Sequence, residues 1–271
     1  MLNWLCTLPW TNIGTIGAFL VALAAFIRPD IEPFLRGPKV TVALPKEFVF
    51  NHRMGVLWMA PWVDIRNEGG RAADIGEVSI LFKNSDGDFI KITGDSYLTR
   101  TSGDPTYFPW TSLSLKPNAS WLDRINFREA LPAKDEEVFR QLISELGRFW
   151  DESILPMAHT SQPKREDLKR KTELRAKIQT FFNTHFHLQR GTYKVLVVLR
   201  DRQNLVLARE AYELTLFDGA IADIKERLDE YVERPTTFFD GSLLTSVPLT
   251  PVKDQKSVDE LLMQARAKGL L

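Results

Sequence analysis

One cysteine, Cys6, and four histidines are all the thiol and imidazole ligands that this chain offers to a metal. That excludes a disulfide framework and any cysteine-rich zinc site. An excess of either charge is missing too. Lys and Arg total 35 and Asp and Glu total 35, so no overall basic field recruits nucleic acid, and none is expected as a partner. The signatures G-x-S-x-G, G-x-x-x-x-G-K-[ST], G-x-G-x-x-G and H-E-x-x-H do not occur, and no internal repeat is visible. Neither an enzyme nor a resident cofactor is expected. What is present, 44% hydrophobic and 26% charged residues over 271 positions, is enough to fold one large domain or two small ones.

Charge is also absent from Leu2 to Ile27, and the densest apolar part, Trp10–Ile27, is closed by Arg28 and Pro29. Such a run gives a helix of about 27 Å, the thickness of the hydrocarbon layer. Trp4 and Trp10 fall where an interfacial aromatic belt belongs. Ala22-Leu23-Ala24 offers a signal-peptidase site, but residues 2–9 lack the Lys or Arg of a secretory leader. The segment reads as a retained transmembrane helix, with residues 1–38 forming anchor and linker. Arg28, Arg36, Lys39 and Lys46 follow it closely, which by the positive-inside rule places the C-terminal part in the cytoplasm. Gly14, Ala18 and Ala22 are spaced four apart and make a small-residue stripe. A stripe of that kind fits close contact with a partner's membrane helix, or with a second copy of this one, within the lipid bilayer.

Beyond Pro38 the period becomes that of strands. Lys39–Leu44, Val56–Asn67, Ile75–Lys83, Ser112–Leu115, Ser120–Phe127, Thr192–Leu199 and Leu205–Leu216 alternate or run apolar, with turn residues between them. Short strands without β–helix–β alternation argue a mainly β, antiparallel sandwich over residues 39–217. Three steps carry a resemblance: Asn67-Glu68-Gly69 after one strand, Leu115-Lys-Pro-Asn118 before another, and Gly191-Thr-Tyr193 opening the last hairpin. In these steps the chain resembles immunoglobulin-like sandwiches of the CARDB type, although Asn118 stands where that family usually has glycine. The resemblance implies a fold and a role in adhesion or assembly; it brings no catalytic residue with it.

A helical insertion, residues 129–187, interrupts the strands. Lys134–Ser153 places Phe139, Leu142, Ile143, Leu146, Phe149 and Trp150 on one helical face, with mainly acidic charges elsewhere. Arg165–Phe182 forms a second, basic helix rich in Lys169, Arg170, Lys171, Arg175 and Lys177. The two predict an α-hairpin with attracting faces, serving either to bind a partner or to cap a sheet edge. The region 218–271 adds a helix over Gly219–Arg234, an extended apolar stretch over Pro235–Val252, and a last helix opened by a capping box at Ser257-Val-Asp-Glu260.

Candidate chemistry is sparse. His185-x-His187 is the one close histidine pair and lacks a third ligand in register. Asn84-x-Asp86-x-Asp88 begins like a calcium loop but has Phe89 where glycine is required, so it reads as a hairpin turn. Lys169, Arg170, Lys171 and Arg175 are the candidate anion-binding residues. The leading expectation is a single-pass membrane protein whose sandwich is an interaction module, an accessory or scaffold subunit of a membrane complex. The alternatives are a membrane-tethered sensor of an anionic small molecule, and an outward-facing envelope module that binds glycan through tryptophans such as Trp110.

Overall fold

The computed structural model describes residue 21 and residues 37–99, 106–154, 165–233 and 245–271. The anchor reading, with Gly14, Ala18 and Ala22, lies outside the described residues. Among those described, no helix is long and apolar enough to cross a membrane.

The body is mainly β and antiparallel. In chain order the strands are β1 (Val40–Ala43), β2 (Glu47–Phe50), β3 (His52–Arg53), β4 (Val56–Met59), β5 (Trp62–Asn67), β6 (Ala73–Ile75), β7 (Glu77–Lys83), β8 (Phe89–Thr99), β9 (Thr106–Pro109), β10 (Leu113–Leu115) and β11 (Ser120–Glu129). Helices α1 (Ala133–Phe149) and α2 (Arg165–His185) follow, then β12 (Gly191–Arg200), β13 (Val206–Leu216), α3 (Asp218–Glu233), β14 (Thr245–Pro248), β15 (Thr250–Pro251) and α4 (Gln255–Ala267).

Hydrogen bonding runs in the order β1-β5-β11-β8-β7-β12-β13-β15. The path folds into two layers because β8 is shared. Its first half pairs β7, from Phe89 opposite Lys83 to Thr93 opposite Ser79, and its second half pairs β11. The bend falls at Gly94, where a Cβ would stand 2.8 Å from Ile125 Cγ2, and at a register shift between Asn126 and Phe127. Between the layers lies the main core. Val63, Ile65, Ile125 and Phe127 come from one side, and Val78, Ile80, Phe82, Val195, Val197 and Leu199 from the other. The near-continuous burial of β7 and β12 explains why those strands read as apolar runs rather than strict alternation.

Strand β8 has no counterpart in the sequence reading beyond the turn that precedes it, and three local features depart from that reading as well. The run Val56–Asn67 is two strands, broken at Ala60-Pro61, where Pro61 has no N–H to give and its carbonyl accepts from Ile125 N–H at 3.2 Å. A ribbon of β2 and β14 was not legible; it pairs Phe48 with Val247 and drives Phe48 and Phe50 against Phe82. Finally, α4 is capped by Asp254, whose carboxylate accepts from the N–H groups of Lys256 and Ser257, so the helix starts ahead of the Ser257 capping box.

The region 218–271 is not a separate appendage. β15 extends the sheet beside β13, and α4 lays Val258, Leu261, Leu262 and Ala265 on the outer face of β7, β12 and β13, over Leu81, Leu196, Val198 and Ala211. Burial of that size is worth several kcal/mol, at about 25 cal/mol per Å² of apolar surface.

Strand directions define two poles. One holds Lys39, the turn after Asn67, the turn before Ser120 and the hairpin between Arg200 and Val206. The other holds the turn between Lys83 and Phe89, the end of β11 at Glu129 and the start of β12 at Gly191. The helical insertion leaves and rejoins the strands at this second pole.

Candidate functional site: the helical pole

The α-hairpin has its own core. Phe139, Leu142, Leu146 and Phe149 of α1 meet Leu174, Ile178, Phe181 and Phe182 of α2, joined by Leu228 of α3 and by Met54 and Val56. The 3-4 spacing of these residues gives each helix its apolar stripe. The expected attraction between acidic and basic helices is present at Lys177–Glu145 (2.9 Å) and Arg170–Glu152 (2.7 Å). These pairs are exposed, so each adds at most about 1 kcal/mol and the buried stripe holds the hairpin.

The four candidate anion-binding residues are thereby accounted for. Arg170 pairs with Glu152, Lys169 lies 3.8 Å from Glu173 on its own helix, and Lys171 and Arg175 also have interaction partners. Of the four only Arg170 reaches the pocket of about 280 Å³ where Arg148 and Lys177 face Glu145 and Glu173.

A larger groove of about 590 Å³ runs between α1 and α2, with Leu142, Ala176 and Phe181 in its wall and Val138 exposed along it. His185 lines this groove with its ring 4.2 Å from that of Phe181, and burial lowers its pKa against the opposing charge of Asp135. His187 lines a different cleft, of about 560 Å³, together with Glu129, Tyr193 and Lys268. The two histidines therefore do not form a ligand pair, and the described residues hold no group of three or more His, Cys, Asp or Glu placed to bind a metal. Burial pushes the Glu129 carboxyl up, offset in part by the Leu57 N–H and by His187. The segment from Asn84 to Asp88 is a hairpin turn, closed by Asn84 N–H to the Asp88 carbonyl at 3.0 Å with Gly87 at positive φ.

Sequence reasoning missed the clip that fixes this pole to the sandwich. β3 and β4 form a hairpin whose two turn residues, Met54 (φ 51°) and Gly55 (φ 96°), both have left-handed backbone, as the tightest hairpin turns require. Its tip is buried: Met54 is fully enclosed in the helical core, and a Cβ on Gly55 would meet the Phe182 backbone at 3.0 Å. His52, also fully buried, stands at the base. Its Nδ1 accepts from Gly55 N–H at 3.2 Å, so Nε2 carries the proton and donates to the Ile224 carbonyl at 2.7 Å. The ring sits edge-on to Phe182 and Phe186. The available signal was the Met54-Gly55 pair between short strand-forming runs.

Trp110, the candidate glycan contact, is packed rather than free. Its Nε1 donates to the Gly76 carbonyl at 3.0 Å, and its ring lies edge-on to Tyr97 and Trp121.

No family model, curated protein or solved structure matches this chain.

Proposed function

We propose that the chain is a membrane-anchored interaction module, an accessory or scaffold subunit of a membrane protein complex, with an immunoglobulin-like sandwich of the CARDB type on the cytoplasmic side. One observation carries the reading: Lys39, ahead of β1, lies at one pole, and the α-hairpin sits at the other. β12 alone spans ten residues, about 33 Å at the usual rise per residue. An anchor in residues 1–38 would then hold the hairpin well clear of the bilayer, presented to a partner.

The fold part of the proposal draws support from the order of strands. Layers β1-β5-β11-β8 and β7-β12-β13 correspond to the A-B-E-D and C-F-G sheets of an immunoglobulin sandwich. The geometry at the three steps behind the resemblance supports the reading. Asn67 donates to the carbonyls of Arg71 and Leu115 at 2.7 and 3.0 Å and accepts from Gly69 N–H at 3.0 Å, while a Cβ on Gly69 would stand 2.3 Å from Lys39 N. Asn118, which stands where that family usually has glycine, adopts φ 55°, a left-handed backbone that favours glycine. Tyr193, near the start of β12, donates its hydroxyl to the Gln189 carbonyl at 3.0 Å and accepts from Gln189 N–H at 2.8 Å, the arrangement of a tyrosine corner.

The test is purification of the full chain from its native membrane in mild detergent. A second polypeptide at fixed ratio is expected; a lone monomer overturns the proposal.

A further inference from the structure

The two layers of the sandwich differ in what lies on their outer faces. The face of β7, β12 and β13 is covered by the chain's own α4, which sets Leu261, Leu262 and Ala265 on apolar strand residues and brings Asp259 to Arg209 at 2.8 Å. The outer face of β5, β11, β8 and β9 also carries apolar side chains, and two of them, Leu122 and Tyr107, are exposed. Cross-strand register puts Trp62 opposite Arg124, Arg124 opposite Leu98, and Leu98 opposite Tyr107, one row running across four strands. Such cross-strand partners share a face and touch. Leu122 stands one step along β11 on the same side.

This row is unusually apolar for an outer face. Leu122 is 62% exposed and Tyr107 56% exposed. Arg124 lies with its guanidinium 5.5 Å from the Trp62 ring centre, and its Nε is buried without a hydrogen-bond partner. No carboxylate among the described residues is ion-paired with it, and Asp64, on the same face, is held by Arg66 at 2.6 Å. Trp, Tyr and Arg around exposed leucine is the composition of an interface centre.

We propose that this face docks an amphipathic helix of a partner protein, which lays apolar side chains over Leu122 and Tyr107, on either side of the buried Leu98, and presents a carboxylate to Arg124. The occupant is argued from α4, which covers the opposite face in this way, and from the charge that Arg124 leaves unmatched. The inference rests on the reading of the chain as an interaction module. It fails separately from it, because a partner can co-purify without touching this face.

The test is photo-crosslinking of the full chain in its membrane, with p-benzoylphenylalanine in place of Leu122 or of Tyr107 and, as the control, of Met263 on α4, which is 60% exposed. A discrete heterologous adduct is expected from the first two positions and not from the third. Its cross-linked peptide should carry Asp or Glu within an i, i+3, i+4 apolar pattern, and Arg124→Glu should abolish the adduct while Arg124→Lys keeps it. Because Arg124 is half-buried, Leu122→Glu serves as a second variant that leaves the core intact, and it too should reduce the adduct at position 107 at least tenfold. An adduct of twice the chain's mass, a link within the chain, a cross-linked peptide without an acidic residue, or no adduct from a preparation that retains its partner each overturns the proposal.

Discussion

His52 Nε2 donates to the main-chain carbonyl of Ile224 at 2.7 Å, joining a two-residue hairpin turn to a helix that lies more than a hundred and fifty residues further along the chain. Both groups are buried and both ring nitrogens are used, so the imidazole acts as a fixed strut between the sandwich and the helical pole. His52→Leu keeps the volume but orphans the Ile224 carbonyl and the Gly55 N–H. It should cost about 2–4 kcal/mol in urea unfolding, with hydrogen exchange of residues 221–228 accelerated before that of β12.

Glu77 offers an acid-range test. It accepts from Arg200 and from Ser79 and lies 3.3 Å from Lys91. Burial alone would push its carboxyl up, but the hydrogen bonds from Arg200 and Ser79 and the charges of Lys91 and Arg200 outweigh it and hold the pKa at about 2. Because the folded value lies below the ordinary 4.5, the stabilisation is present above that ordinary value and is lost as pH falls toward 2. Unfolding free energy should drop by up to about 3 kcal/mol across that window. Glu77→Gln should flatten the drop, and should destabilise at neutral pH because Arg200 is left buried without its counter-charge.

Tyr193→Phe removes only the hydroxyl, leaving the buried ring in place. The lost bonds to Gln189 should cost about 1–2 kcal/mol, read from the denaturant midpoint at unchanged slope. A neutral result would show that the corner contributes nothing to stability.

For the α-hairpin, Arg170→Glu and Lys177→Glu should each cost less than about 1 kcal/mol, with the difference shrinking in high salt. Ile178→Ala, in the buried stripe, should cost about 2–4 kcal/mol regardless of salt. Equal losses at the charged and buried positions would reverse this ranking.

At the start of α4, Asp254→Ala should cost about 1 kcal/mol and Ser257→Ala clearly less, since the Ser257 hydroxyl donates to the Asp254 carboxylate rather than capping the helix. The opposite order would restore Ser257 as the cap.

What was legible in the sequence is what depends on near neighbours. Alternation along Ser120–Phe127, the hairpin between Leu199 and Leu205, and the apolar stripe from Phe139 to Phe149 are set by residues a few positions apart, and each appears where the pattern puts it. The helix over Gly219–Arg234 is observed at Asp218–Glu233, and the extended stretch before Val252 does lie on the sandwich where it is described. The rest depends on contacts between distant segments. Phe48 and Phe50 form a strand because Val247 and Thr245 pair with them, and Met54 takes a left-handed turn because a helical core encloses it. The face along Trp62, Arg124, Leu98 and Tyr107 exists only once four strands are in register. No window of sequence holds that information.

The β2–β14 ribbon also constrains how the chain is made. During synthesis β2 emerges well before its partner, Thr245–Pro248, which lies far along the chain. Until then Phe48 and Phe50 lack their cover. That flank is therefore closed only after β14 has been made, and a ribosome that stalls before residue 245 releases a chain with its aromatic flank uncovered, a natural target for chaperones and proteases.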